Sequence, residues 1–223
     1  MTCEEILKDA HYIQYPLNDT TYITVSKSIE DKIHKLPLPK EGDMYTGWYK
    51  NTNHFTPKYH REYVLPLLID ILKLSYNKND WELIEKSSGK FDLSYLKIKK
   101  SPVFEIWGFT RGEHFDNLCF DDLMHNDSKK NDITDYHRMY KYSHECSRII
   151  NKSIISYRRI FISGDSQFIP DIAFLSCYFK EVWYMDNRNN LTLCDRWRDV
   201  KFTDCIVEIN CSHTGRYTSQ NFK

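Results

Sequence analysis

Residues 159–210 read RIFISGDSQFIPDIAFLSCYFKEVWYMDNRNNLTLCDRWRDVKFTDCIVEIN. The pieces RIFIS, KEVWYMD and FTDCIVEIN are short apolar runs rich in Ile, Val, Phe, Trp and Tyr, the pattern of strands buried in a parallel sheet. Between the first two, Ile172, Leu175 and Phe179 recur at helical spacing. Pro170 falls in the first helical turn, where its missing N–H is no loss. The stretch therefore predicts a β-α-β-α-β unit. Right-handed crossovers then align the carboxyl ends of the strands along one edge, where α/β proteins usually bind and react. Gly164 to Ser166, Asp186 to Arg188 and Asn210 to His213 all fall on that edge.

Working outward, Tyr63, Leu67, Ile71 and Leu74 lie at i, i+4, i+8 and i+11 and predict an amphipathic helix over Lys58 to Leu74, bent rather than ended by Pro66. Met139, Tyr142, Cys146, Ile149 and Ile150 predict another over Arg138 to Ser153. Residues 126–135 (NDSKKNDITD) lack the Pro and Gly density of a hinge and read as a surface loop. No repeat is visible, and 223 residues with 41% apolar side chains suit one domain with a sizeable core. Thirty-one Lys and Arg against 31 Asp and Glu leave zero net charge, which removes any global pull toward nucleic acid or anionic lipid and leaves only local patches. The opening MTCEEILKDAHYIQYPL has no signal-peptide pattern and no run of 18 apolar residues occurs, so the expectation is a cytoplasmic protein without a membrane span. Seven Cys, an odd number without a CxxC spacing, argue against a disulfide framework or a zinc ribbon.

Ser166 follows Gly164 and Asp165 at a strand-to-helix junction, where a hydroxyl can leave the sheet beside the amides of an incoming helix. Two readings stay open for this tripeptide: an activated nucleophile, or a turn whose Asp or Ser caps the helix. A nucleophilic serine needs a base, and nine His are available. His60 reads as a first-turn helix residue. His137 and His144, seven apart, could share a helix face, but no HExxH or supporting acid accompanies them, so no metal is expected.

Residues 49–60, YKNTNHFTPKYH, followed much later by FISGDSQFIPDIAFLSCYFKEVWYMDNR and TDCIVEIN, resemble the SGNH-like acyltransferases and esterases that modify polysaccharides, the DHHW or alginate O-acetyltransferase type. In that family a box close to YKTDHHWTPEGA precedes a helix and comes before the GDS-type serine, the order found here. The resemblance covers about half the chain and leaves residues 1–40, an N-terminal extension, and 100–150, an insertion, unmatched. It implies a single domain over 1–223 with a three-layer α/β/α fold and a mainly parallel sheet. It implies no cofactor, and O-acyl transfer or ester hydrolysis, acetyl in the family, on a carbohydrate, with the acyl donor unspecified. Ser166 would be the nucleophile and His54 the base. Thr52 stands where the family has the orienting Asp, and Phe55 where it has Trp.

A neutral Thr52 can orient an imidazole but not neutralise it. Asp43, Asp165 or Asp186 could substitute in space, the site could run as a Ser-His dyad, or it could be degenerate. His213, in Asn210-Cys-Ser-His213, is the competing base, similar to the Asp-x-x-His of conventional SGNH hydrolases. Asp186, Asn187 and Arg188 are candidate binding residues, Asn187 for an oxyanion and Arg188 for an acidic group. Tyr45, Trp48 and Tyr49 could stack on a sugar or sit in the core. Two further readings remain: a glycan- or protein-binding domain without activity, and a Mg²⁺-dependent phosphoryl-transfer enzyme using Asp165, Asp186 and Glu208.

Overall fold

The computed structural model describes residues 5, 8–16, 27–46, 53–83, 96–98, 102, 104–110, 113–114, 118–119, 146–165, 167–186 and 200–209. Along the chain run β1 (His11–Gln14), α1 (Lys27–Glu30), β2 (Ile33–Lys35), β3 (Met44–Thr46) and β4 (Asn53–Phe55). A helical rod follows, made of α2 (Pro57–Tyr59), a π-helical turn (His60–Val64) and α3 (Leu65–Ile71). Then come β5 (Trp81–Leu83), β6 (Leu96–Ile98), β7 (Phe104–Thr110), β8 (Glu113–His114), β9 (Leu118–Cys119), β10 (Cys146–Asn151), β11 (Arg159–Gly164), α4 (Ile169–Ser176), β12 (Glu181–Asp186) and β13 (Asp204–Ile209).

Among the described residues nine strands form one sheet in the order β2-β1-β13-β11-β12-β10-β7-β8, with β9 also paired to β7. The block from β2 to β12 is parallel throughout, while β10, β7, β8 and β9 extend it antiparallel. The fold is α/β, and of the expected unit β11, α4, β12 and β13 appear, while residues 187–199, where its second helix would fall, lie outside the described residues. Because β11, β12 and β13 are interior, their runs are apolar on both sides, as Ile160, Phe161 and Ile162 are. One face packs Ile13, Ile160, Ile162 and Ile206 against the rod and α4 through Leu68, Ile172 and Leu175. The other buries Phe161, Trp183, Met185 and Val207 under Ile29 of α1, Val200 and Phe202.

The helix expected over Arg138 to Ser153 is corrected: residues 146–151 are strand β10, and 138–145 lie outside the described residues. Ile149 and Ile150 are β-branched neighbours that fit a strand bonded on both sides, to β7 and to β12, and these long-range ladders override a spacing that also suited a helix. The rod over 57–71 matches the expected amphipathic helix. Pro66 has no N–H to give and takes the second position of α3, and the turn before it widens to π spacing, with Leu65 N–H on His60 O. The loop expected at 126–135 lies outside the described residues.

Candidate active site

At the carboxyl edge of the sheet, β11 ends at Gly164 paired with Asp186, the last residue of β12. Asp165 N–H donates to Glu208 Oε2 at 2.6 Å, and Asp165 Oδ1 accepts Gln167 N–H at 2.7 Å. Phe168 N–H closes the turn on Asp165 O at 3.1 Å. Asp165 and Glu208 are 1% and 0% exposed, so each carboxylate is held by a backbone amide rather than by water. Gly164 is required here. A Cβ on it would lie 2.7 Å from Glu208 Oε2 and 3.1 Å from Phe168 Cβ. The N-cap of α4 is Phe168, and Asp165 Oδ1 caps the turn that leads into the helix by accepting Gln167 N–H.

The second segment is the hairpin of β3 and β4, in which Tyr45 pairs with His54 and Met44 with Phe55. Gly42 adopts φ +83°, as a tight turn from Lys40 to Asp43 requires, and Asp43 N–H bonds Lys40 O. Thr56 N–H then reaches Asp43 O at 2.8 Å, and Thr56 Oγ1 accepts Tyr59 N–H at 3.3 Å. Thr56 thereby caps the rod and Pro57 takes its first position, which explains why Thr-Pro follows the His box. Phe55 stacks on Tyr59 and tilts against Tyr15.

Two buried bonds join these segments. Phe55 N–H donates to Gln167 Oε1 at 3.1 Å across 112 residues of sequence, tying the residue after His54 to the residue after Ser166. One turn further on, His60 Nδ1 lies 2.9 Å from Asp171 Oδ2, both side chains fully buried. The sequence reading missed Gln167, Asp171 and the role of His60; a polar residue at a site this apolar was the available signal for Asp171 in FIPDIAF.

Of the carboxylates considered as orienters, Asp43 accepts Lys40 N–H at 2.8 Å and lies 3.7 Å from Lys58 Nζ, while Asp165 accepts Gln167 N–H through Oδ1. Asp186 ends β12 beside Gly164. Thr52, Ser166, Asn187, Arg188, His213, Trp48 and Tyr49 lie outside the described residues, as do His137 and His144, and of His54 and Tyr45 only the backbone is described. The amides of Asp165, Gln167 and Phe168 are all engaged, the first by Glu208 and the other two within the turn, so none of these three is left to receive an oxyanion. Among the described residues no group of three or more His, Cys, Asp or Glu is placed to hold a metal ion. Nor is any described helix long and apolar enough to cross a membrane.

No protein-family model matches the sequence, and no curated protein does. Solved structures do match. A DHHW family protein from Eubacterium siraeum DSM 15702 superposes with a TM-score of 0.55 at 13% identity, over 96% of this chain and 81% of that one. Bacillus cereus PatB1 with a sulfonyl adduct gives 0.59 at 13% identity, over 99% and 87%. A second PatB1 structure gives 0.57 at 14%, over 99% and 88%. The likeness at such identity is one of fold.

Proposed function

We propose that this chain is an SGNH-like enzyme that transfers or hydrolyses an O-acyl group, acetyl by preference, on a carbohydrate, with Ser166 as nucleophile and His54 as base. The observation that carries this reading is the Phe55 N–H to Gln167 Oε1 bond, which makes chain neighbours of the two proposed groups touch. Phe55 follows the proposed base and Gln167 follows the proposed nucleophile in the chain, so the bond supports a reading in which the two act together. The fold shared with a DHHW family protein and with PatB1 supports the same reading, and a sulfonyl adduct is what an activated nucleophile forms with a sulfonyl electrophile.

In the proposed reaction Ser166 Oγ attacks the acyl carbonyl as His54 takes its proton. The imidazolium then protonates the departing oxygen, leaving acyl-Ser166. A sugar hydroxyl or water, deprotonated by His54, attacks the acyl-enzyme and frees the serine. With the flanking amides engaged, the oxyanion falls to the Ser166 N–H and to Asn187, which follows the strand end paired with Gly164. Arg188 holds an acidic group of donor or acceptor.

A sulfonyl fluoride or fluorophosphonate probe should label the wild type and leave Ser166→Ala unlabelled at equal folding. His54→Ala should abolish turnover of an acetylated chromogenic ester while His213→Ala retains most of it. Labelling of neither protein would overturn the reading in favour of a binding domain without activity, and equal labelling of both would remove Ser166 as the nucleophile.

A further inference from the structure

We infer that Glu208 and Tyr184 are positioning residues for Ser166, an inference that rests on the acyl-transfer reading above. Together they grip the peptide unit that joins Gly164 to Asp165, one residue short of Ser166. From β13, Glu208 Oε2 accepts Asp165 N–H at 2.6 Å, and from β12, Tyr184 OH donates to Gly164 O at 3.2 Å. Both side chains are buried, at 0% and 1% exposure. Their strands flank β11 on opposite sides, so a rigid planar unit is held at its N–H end and at its C=O end. Backbone pairing of β11 with β13 ends at Ser163 opposite Val207, and the side chain of the next residue, Glu208, takes over where that ladder stops.

Folding alone gives little reason for an acid at this place. Burying a carboxylate is expensive, and an apolar residue at 208 would complete the buried run of Cys205, Ile206, Val207 and Ile209 more cheaply. Glu208 breaks that run where β11 ends, and its Oε2 goes to the backbone that leads into Ser166. The surroundings are fitted to it: a Cβ on residue 164 would lie 2.7 Å from Oε2, so the glycine makes room for the carboxylate over the strand end. On the far side of Ser166 in the chain, Gln167 N–H is held by Asp165 Oδ1 and Gln167 Oε1 by Phe55 N–H. The stretches before and after the serine are thus each fixed by buried hydrogen bonds. The proposed reaction asks this backbone for two things, an Oγ aimed at the acyl carbon and a Ser166 N–H aimed at the oxyanion. Glu208 and Tyr184 serve both through the main chain.

The test follows the reaction of the full chain with a sulfonyl fluoride by intact-protein mass spectrometry, reading the rate constant and the final labelled fraction separately. Glu208→Met keeps the length of the side chain and removes the acceptor. It should slow labelling, and lower kcat for an acetyl ester, by about 100-fold with KM little changed, as a small misplacement of the nucleophile does. Tyr184→Phe removes one donor and should slow both by about tenfold, and it decides the matter if Glu208→Met does not fold. Glu208→Gln still offers an oxygen and should recover most of the Glu208→Met loss. In all three the labelled fraction should match that of wild type, because it counts folded sites, whereas the rate reports how well each is aimed. Either of the first two variants reacting at the wild-type rate would overturn the inference and leave acyl transfer standing. So would a Glu208→Gln as slow as Glu208→Met, or a loss confined to the labelled fraction, which is what a merely structural role produces. A wild type that takes no label would overturn both.

Discussion

Gly164 and Gln167 bracket the proposed nucleophile and act through different physics. At Gly164 the nearest obstacle to a methyl group is a carboxylate held in place by the amide of Asp165, so neither can step aside cheaply. Gly164→Ala should cost about 1–3 kcal/mol, read as a lower urea midpoint. Gln167→Met keeps the volume and removes the acceptor for a buried amide. It should cost about 1–3 kcal/mol and, in the proposed enzyme, lower kcat for an acetyl ester more than it changes KM, because it loosens 55 against 167 without removing either reacting group. The turn itself was legible: a Gly before a polar pair, between an apolar strand and an apolar helix, is what a sharp junction needs. Gln167 was not, because its partner is a backbone amide and an amide leaves no trace in residue type.

At the level of elements, the rod and α4 are locked by His60 and Asp171, buried where their helices meet. Asp171→Ala leaves the imidazole without this partner and should destabilise by about 1–3 kcal/mol, whereas Asp171→Asn, which can still accept from Nδ1, should cost less in the same denaturant series. The strands β1 and β2 carry a second histidine feature. His11 and His34 have ring centroids 5.7 Å apart. Burial first, and then the charge of His34, lower the His11 pKa from 6.5, against a smaller opposing pull from Asp204. The unfolded chain therefore binds this proton more readily than the folded one. The contribution is fully present above about pH 6.5 and is lost as pH falls through the lower folded value. His11→Gln should flatten that part of the stability profile, measured as urea midpoint against pH. Elements with a strong period, such as the rod, could be read from sequence. Strand β10 could not, since Ile149 and Ile150 satisfy either period until the flanking strands decide between them.

At the scale of the whole molecule, the sheet pairs strands that lie far apart in sequence. Strand β1 lies between β2 and β13, with His11 opposite Ile206 and Gln14 opposite Ile209. Four residues, HYIQ, are too few to announce a central strand, and nothing in their pattern names a partner nearly 200 residues away, so this pairing was not legible at all. Its consequence can be measured. A chain beginning at residue 17 would lack β1, and β2 would have no strand to pair with. Strand β13, with Ile206 and Val207 now buried, would become a bare apolar edge, the arrangement that recruits other chains. Tyr12, Ile13 and Tyr15, each at most 5% exposed, would also be missing from the two faces of the core. At about 1.5–3 kcal/mol per large buried side chain, that loss rivals the entire 5–15 kcal/mol that separates a folded domain from an unfolded one. The truncated chain should therefore aggregate on expression and, after refolding from urea, show no cooperative transition by circular dichroism. A sharp transition at the wild-type midpoint would show instead that the sheet closes without its N-terminal strand.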